Sequence, residues 1–213
     1  MAAAAVPNWV MLERFVFRRD DDASFREDKR TMAAGTTFAG TPFRVSFILA
    51  DPPTPSRLYV WWPRGPKLSM VCHLVAAHRD LVLLRLDYPA DESDPSPFGE
   101  VRNDYFVYIA DPPSPQRAPL IRLLPDCTEY NCYFQRPVQR IFGPHGAGLL
   151  CCGEEGTFVV AYLDIRRTPP SGELRAELSV LRSSVRSSDA GEEQWTTKLL
   201  PIKYRDDVVP TSL

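Results

Sequence analysis

Three histidines, five cysteines and a scatter of carboxylates are the residues of this chain able to hold a metal, move a proton or act as a nucleophile. Cys72, His73 and His78 supply the sulfur and imidazole ligand types that zinc takes. Zinc sites bring paired ligands from two places in a chain, and neither Cys127 with Cys132 nor Cys151 with Cys152 has the usual two-residue gap. On an extended strand Cys72 and His73 also point to opposite faces. The spacing therefore predicts turn and edge histidines beside buried thiols, not a metal centre. Gly143-Pro144-His145-Gly146-Ala147-Gly148 has the glycine density of a phosphate-cradling loop. That chemistry needs a helix N-terminus directly after the glycines, where free N–H groups meet the anion. The strand-like run Leu149-Leu150-Cys151-Cys152-Gly153 follows instead, so the glycines read as a loosened approach to an inner strand.

No nucleophile elbow, paired-histidine metalloprotease motif or EF-hand loop occurs. The carboxylates sit mainly in turns, which Asp favours for turn geometry alone. A site assembled from loops would draw on Asp80, His145, Glu154 and Glu155, and would require His145 to converge with two carboxylates. The residue pattern assigns no catalytic, cofactor-binding or metal-binding residue, and the expectation is a non-enzymatic chain without a cofactor.

The elements that must position these residues are strands. Trp9 to Arg19 reads as a strand followed by the acidic turn Asp20–Asp22 and a polar loop to about Gly40. Phe43, Val45, Phe47 and Leu49 alternate with Arg44, Ser46 and Ile48, the period of a half-buried strand. Leu58 to Trp62 resumes as a strand that Pro63 ends, and Trp61 and Trp62 face opposite sides. One of them enters a core layer; the other needs cover from a neighbouring unit or presents a sticky surface. Val71–Ala77 and Leu81–Leu86 flank His78-Arg79-Asp80 as a hairpin, and Tyr105–Ala110 and Leu120–Leu124 complete that unit. Gly148–Cys152 and Thr157–Ile165 flank Gly153–Gly156 as another hairpin. In Glu173–Val180, Leu174, Ala176, Leu178 and Val180 oppose Glu173, Arg175, Glu177 and Ser179, and Trp195–Leu200 closes on Pro201.

The units repeat. Ala50-Asp51-Pro52-Pro53-Thr54-Pro55-Ser56-Arg57 returns as Ala110-Asp111-Pro112-Pro113-Ser114-Pro115-Gln116-Arg117, with six of eight residues identical. Trp61-Trp62-Pro63, Leu123-Leu124-Pro125 and Leu199-Leu200-Pro201 read as ends of equivalent strands. The predicted fold class is all-β: antiparallel four-stranded meander units in series, an open or incomplete β-propeller-like array, with a β-sandwich as the alternative. Residues 9–203 form one domain of two and a half to three units, after a disordered stretch 1–8 and before a tail 204–213. So few blades do not close a ring, and a truncated member of a longer protein is the expectation.

Composition agrees. The 21 prolines limit helix, while 44% hydrophobic residues exclude general disorder. A net charge of −2 argues against nucleic acid and anionic membranes as partners. An odd set of five cysteines without a framework predicts reduced thiols. No secretory leader or transmembrane span is read, giving a cytoplasmic or nuclear location by elimination.

The segments WVMLERFVFRRDDD, PFRVSFILADPP with RLYVWWP, HRDLVLLRL, DYFVYIADPP, GLLCCGEEGTFVVAYLDI, and LRSS followed by a Trp and KLLPI carry a resemblance. Over roughly residues 9 to 203 the chain resembles the plant proteins, abundant in cereals, with the domain of unknown function numbered 1618. The resemblance implies a further C-terminal region, absent here, and no catalytic residues. The family is similar in texture to the propeller-like regions of plant F-box proteins, which act as recognition surfaces; no F-box precedes Trp9. The functional expectation is a protein–protein recognition module whose partner is another protein. A loop-built enzyme or small-ligand site, or a truncated product without independent function, stands as the alternative.

Overall fold

A computed structural model of the chain describes residues 9–67, 72–90, 101–110, 118–131, 135–143, 145–152, 157–168, 172–184 and 193–202. The expectations for residues 1–8, the tail 204–213, the second Asp-Pro-Pro phrase and the Gly153–Gly156 connection lie outside these residues. Among the described residues the regular structure is entirely strand.

The first sheet holds β1 (Leu12–Arg19), β2 (Ala33–Thr36), β3 (Pro42–Ile48) and β4 (Ser56–Trp61) in the order β1-β4-β3-β2. The second is the meander β5 (Cys72–His78), β6 (Leu81–Pro89), β7 (Val101–Ile109) and β8 (Leu120–Leu123). A two-stranded hairpin, β9 (Thr128–Asn131) with β10 (Arg136–Gln139), leads to the third sheet. That sheet is the meander β11 (Ala147–Cys152), β12 (Thr157–Thr168), β13 (Glu173–Ser184) and β14 (Thr196–Leu200).

The sheets stack face to face, and the middle one has both faces covered. Val82, Leu84, Leu86 and Tyr88 of β6, with Phe106 and Tyr108 of β7, pack against Phe43, Val45, Phe47, Leu58, Val60 and Trp62 of the first sheet. The intervening residues Leu81, Leu83, Tyr105, Val107 and Ile109 pack against Leu149, Phe158, Val160 and Leu181 of the third. Burial on both faces explains why β6 reads as a continuous apolar run. Phe43 meets Phe106 edge-on at 4.8 Å and Trp62 meets Tyr88 at 5.9 Å, both within the range of favourable aromatic pairs. The fold is thus all-β, an open propeller-like series of four-stranded sheets, none closed into a barrel among the described residues. Stacked sheets remain equally describable as a layered sandwich.

Four local expectations need correction. The polar loop to Gly40 contains β2, a short strand without the alternation that marks β3. The hairpin β9–β10 was unforeseen, being too short and polar to give a periodic signal. The first unit is not a pure meander, because β1 runs parallel to β4 along its free edge. For the same reason Pro63, Pro125 and Pro201 do not close equivalent strands: β4 lies inside its sheet, whereas β8 and β14 are edges.

Burial along β13 is the less obvious outcome. Glu177 and Ser179 are 5% and 0% exposed, facing the stack beside Leu181, while Leu174, Leu178 and Val180 lie on the outward face. Trp62 enters the core, and Trp61 is covered by its own sheet, with the Arg44 guanidinium 4.1 Å over its ring. Arg44 also approaches Phe25, which folds over the outer face of the first sheet from the segment after β1. Asp28 N–H donates to Ser46 Oγ at 2.8 Å and Thr31 Oγ1 to the Phe47 carbonyl at 2.6 Å, binding that segment to β3.

Candidate functional site

Three places concentrate chemistry. The first is a cleft of about 380 Å³ between β1 and β5, lined by Arg14, Phe15, Val16, Cys72, His73, Leu74, Val75 and Arg85. Each strand is the last of its sheet on this side, and each breaks register where it lines the cleft. Between Leu12 and Val16, three residues of β1 stand opposite Arg57 alone; in β5, Val75 is extra between Leu74 and Ala76. Such bulges bend a strand and re-aim its side chains.

Beside the cleft, Arg85 and Asp87 share one face of β6, with Arg85 Nε 2.8 Å from Asp87 Oδ1 and Nη2 donating to Oδ2 at 3.0 Å. His73 Nε2 lies 2.9 Å from Asp87 Oδ2, close enough for an ion pair but out of line for a hydrogen bond. Arg85 Nη1 donates to the Phe142 carbonyl, and Phe142 N–H donates to Tyr105 Oη at 2.6 Å. Burial pushes the neighbouring Cys72 thiol up to about 12, which favours its neutral form at ordinary pH.

The second place is an ion-pair cluster under the third sheet. Arg140 Nη2 contacts both Glu129, at 2.8 Å, and the buried Glu177, which Arg166 and Arg175 also approach. Burial works to raise the Glu177 pKa, but the arginines outweigh it and hold the carboxyl below its usual value. The hydrogen bond from Arg166 does the same for Glu129. This cluster is what takes a glutamate into the stack, since a buried charge needs a partner.

The third is the outer face of the third sheet. Cross-strand pairs Leu163↔Leu178, Ala161↔Val180 and Ile165↔Ala176 place apolar residues together there. Leu150, Leu163 and Ile165 are 52%, 38% and 58% exposed.

The residues singled out from sequence are dispersed. Cys72 packs with the first core while His73 faces the Arg85–Asp87 side, as adjacent strand residues must. His78 Nδ1 accepts the Cys151 N–H at 3.0 Å, tying the β5–β6 hairpin to β11. The Asp80 carbonyl accepts the Ala110 N–H at 2.8 Å, and His145 is exposed in a turn. Glu154 and Glu155 lie outside the described residues, so the loop-built set is not assembled among them. Gly146 lies close enough that a Cβ there would meet the Leu163 carbonyl oxygen at 2.5 Å, but β11, into which the glycines lead, is an edge strand of its sheet and not the expected inner one. Cys72, Cys127 and Cys152 are free thiols. Among the described residues no three His, Cys, Asp or Glu side chains gather to hold a metal, and no helix is long and apolar enough to cross a membrane. Arg14, Arg85 and Asp87 were missed, although Arg85 and Asp87, two apart on an apolar strand, must share a face.

The fold and these surfaces define a class only: an all-β protein of face-stacked open sheets. In comparisons with known proteins, no family model, no curated protein and no solved structure matched the chain.

Proposed function

We propose that this chain is a non-catalytic recognition module that docks another polypeptide on the outer face of its third sheet. One observation carries the reading: the outer face of the first sheet is covered by the chain's own segment around Phe25, whereas Leu150, Leu163 and Ile165 stand exposed at the opposite end of the stack. The occupant is the same face of a second copy of the chain, because both interfaces inside the molecule are sheet on sheet and the third sheet continues the series. Four strands by about six residues span roughly 400 Å² at ordinary strand spacing. That is the size of a functional surface patch and, paired, about 800 Å², short of the roughly 1,000 Å² of a stable specific interface, so the contact is weak and exchangeable. Free thiols favour a reducing compartment, cytoplasm or nucleus. The segments quoted above support kinship with the plant family.

The test measures the purified chain. The methyl groups of Leu163 and Ile165 will be open to a soluble paramagnetic agent in the monomer and shielded on concentration-dependent association, and Ile165→Lys will abolish the association. Methyls shielded in a monomeric chain would mean that the chain covers its own face, and the reading would fall.

A further inference from the structure

We infer that the cleft between β1 and β5 binds a small organic carboxylate with an apolar body, at a place separate from the third-sheet face and independent of the docking proposal. The cleft lies where two sheet edges meet, and both strands are bulged at the residues that line it. Two unrelated register breaks facing one cavity are a costly arrangement for packing alone, and bulges of this kind favour functional rims. Its volume of about 380 Å³ lies within the range of small-molecule sites.

Charge selects the ligand class. Arg14 is exposed and its guanidinium makes no ion pair among the described residues, while Arg85 is held by Asp87. Two guanidiniums, Arg14 and Arg85, against the one carboxylate of Asp87 leave one arginine charge to be met, which matches the single charge of a carboxylate. A guanidinium presents a planar fork suited to carboxylate. Phe15, 64% exposed, with Val16, Leu74 and Val75 offers apolar walls for the rest of the ligand. The Arg85–Asp87–His73 set and the Phe142 carbonyl fix the adjoining wall before any ligand arrives.

The experiment is an amide NMR titration of the whole chain with 2-naphthoate, beside its neutral analogue 2-naphthalenemethanol. Saturable shifts in β1 and β5 are expected for the carboxylate, with the alcohol weaker by about tenfold or more, the scale of one charged hydrogen bond. Arg14→Gln should weaken naphthoate by a similar factor, Arg14→Lys by less, and the exposed Arg182→Gln not at all. Arg14 is solvent-exposed, so its variants retain the fold, which their spectra will verify. Equal binding of the alcohol, unchanged binding by Arg14→Gln, absence of saturation, or shifts confined to the third sheet would each overturn the assignment.

Discussion

Asp104 has no exposed side-chain surface and is enclosed by donors: Tyr88 Oη at 2.8 Å, Phe38 N–H at 2.6 Å and Arg102 Nε at 2.9 Å. Arg102 in turn holds Asp126 and stacks on Phe38, so the Asp104 carboxylate of β7 joins β6 to the connection between β2 and β3. Burial and the bond to Asp104 push the Tyr88 phenol up to about 12, and burial does the same for Tyr105. An unfolded chain ionises these phenols near 10 while the folded one resists. Their contribution is therefore complete below about pH 10 and lost as pH rises towards 12. Urea midpoints across that window should fall steeply, and Tyr105→Phe should flatten the fall, read together with tyrosinate absorbance. The pairing behind such sites was legible in the sequence: Arg85 and Asp87, Arg102 and Asp104, and Arg175 and Glu177 are opposite charges two apart on strands. What the sequence withheld was which pairs are buried, because that depends on the sheet laid over them.

At the level of elements, long alternating runs were readable and short joining pieces were not. β3, β6 and β12 follow their apolar patterns, β13 forms where its alternation lies but turns Glu177 and Ser179 inward, and β2 exists because of its neighbours. Ala33 to Thr36 pairs with β3 and packs near β8, and the approach is close enough that a Cβ on Gly35 would meet Phe43 Cζ at 2.8 Å and Ile121 Cγ2 at 2.9 Å. Gly35→Val should thus cost about 1–3 kcal/mol, the usual penalty of overpacking. The urea midpoint measures it, and a wild-type midpoint would show that β2 is not pressed against the second sheet. The hairpin was legible from two apolar runs around His78-Arg79-Asp80; His78 in fact pairs with Leu81, and Arg79 takes the positive φ of 55° that such a tight turn needs. The bulges in β1 and β5 left no sequence trace, since an extra residue alters alternation only once the partner strand is known.

For the molecule as a whole, the middle sheet ties two cores into one. Leu83 is 0% and Leu84 3% exposed, adjacent in sequence yet packed on opposite interfaces. Leu83→Ala and Leu84→Ala should each cost about 2–5 kcal/mol. Each should also shift a single shared transition, followed through Trp62 at one interface and Trp195 at the other. Separate transitions at the two tryptophans would show that the sheets unfold independently. The sequence alone determined that the fold is all-β and that the second and third sheets are four-stranded meanders, because period two and proline stops are local properties of a strand. It could not decide that β1 would join β4 in parallel, that Glu177 would turn inward against Arg140, or that Arg14 would line one cleft with His73 and Arg85. Those arrangements bring together residues far apart in the chain, and only the stacking of completed sheets sets their edges and faces side by side.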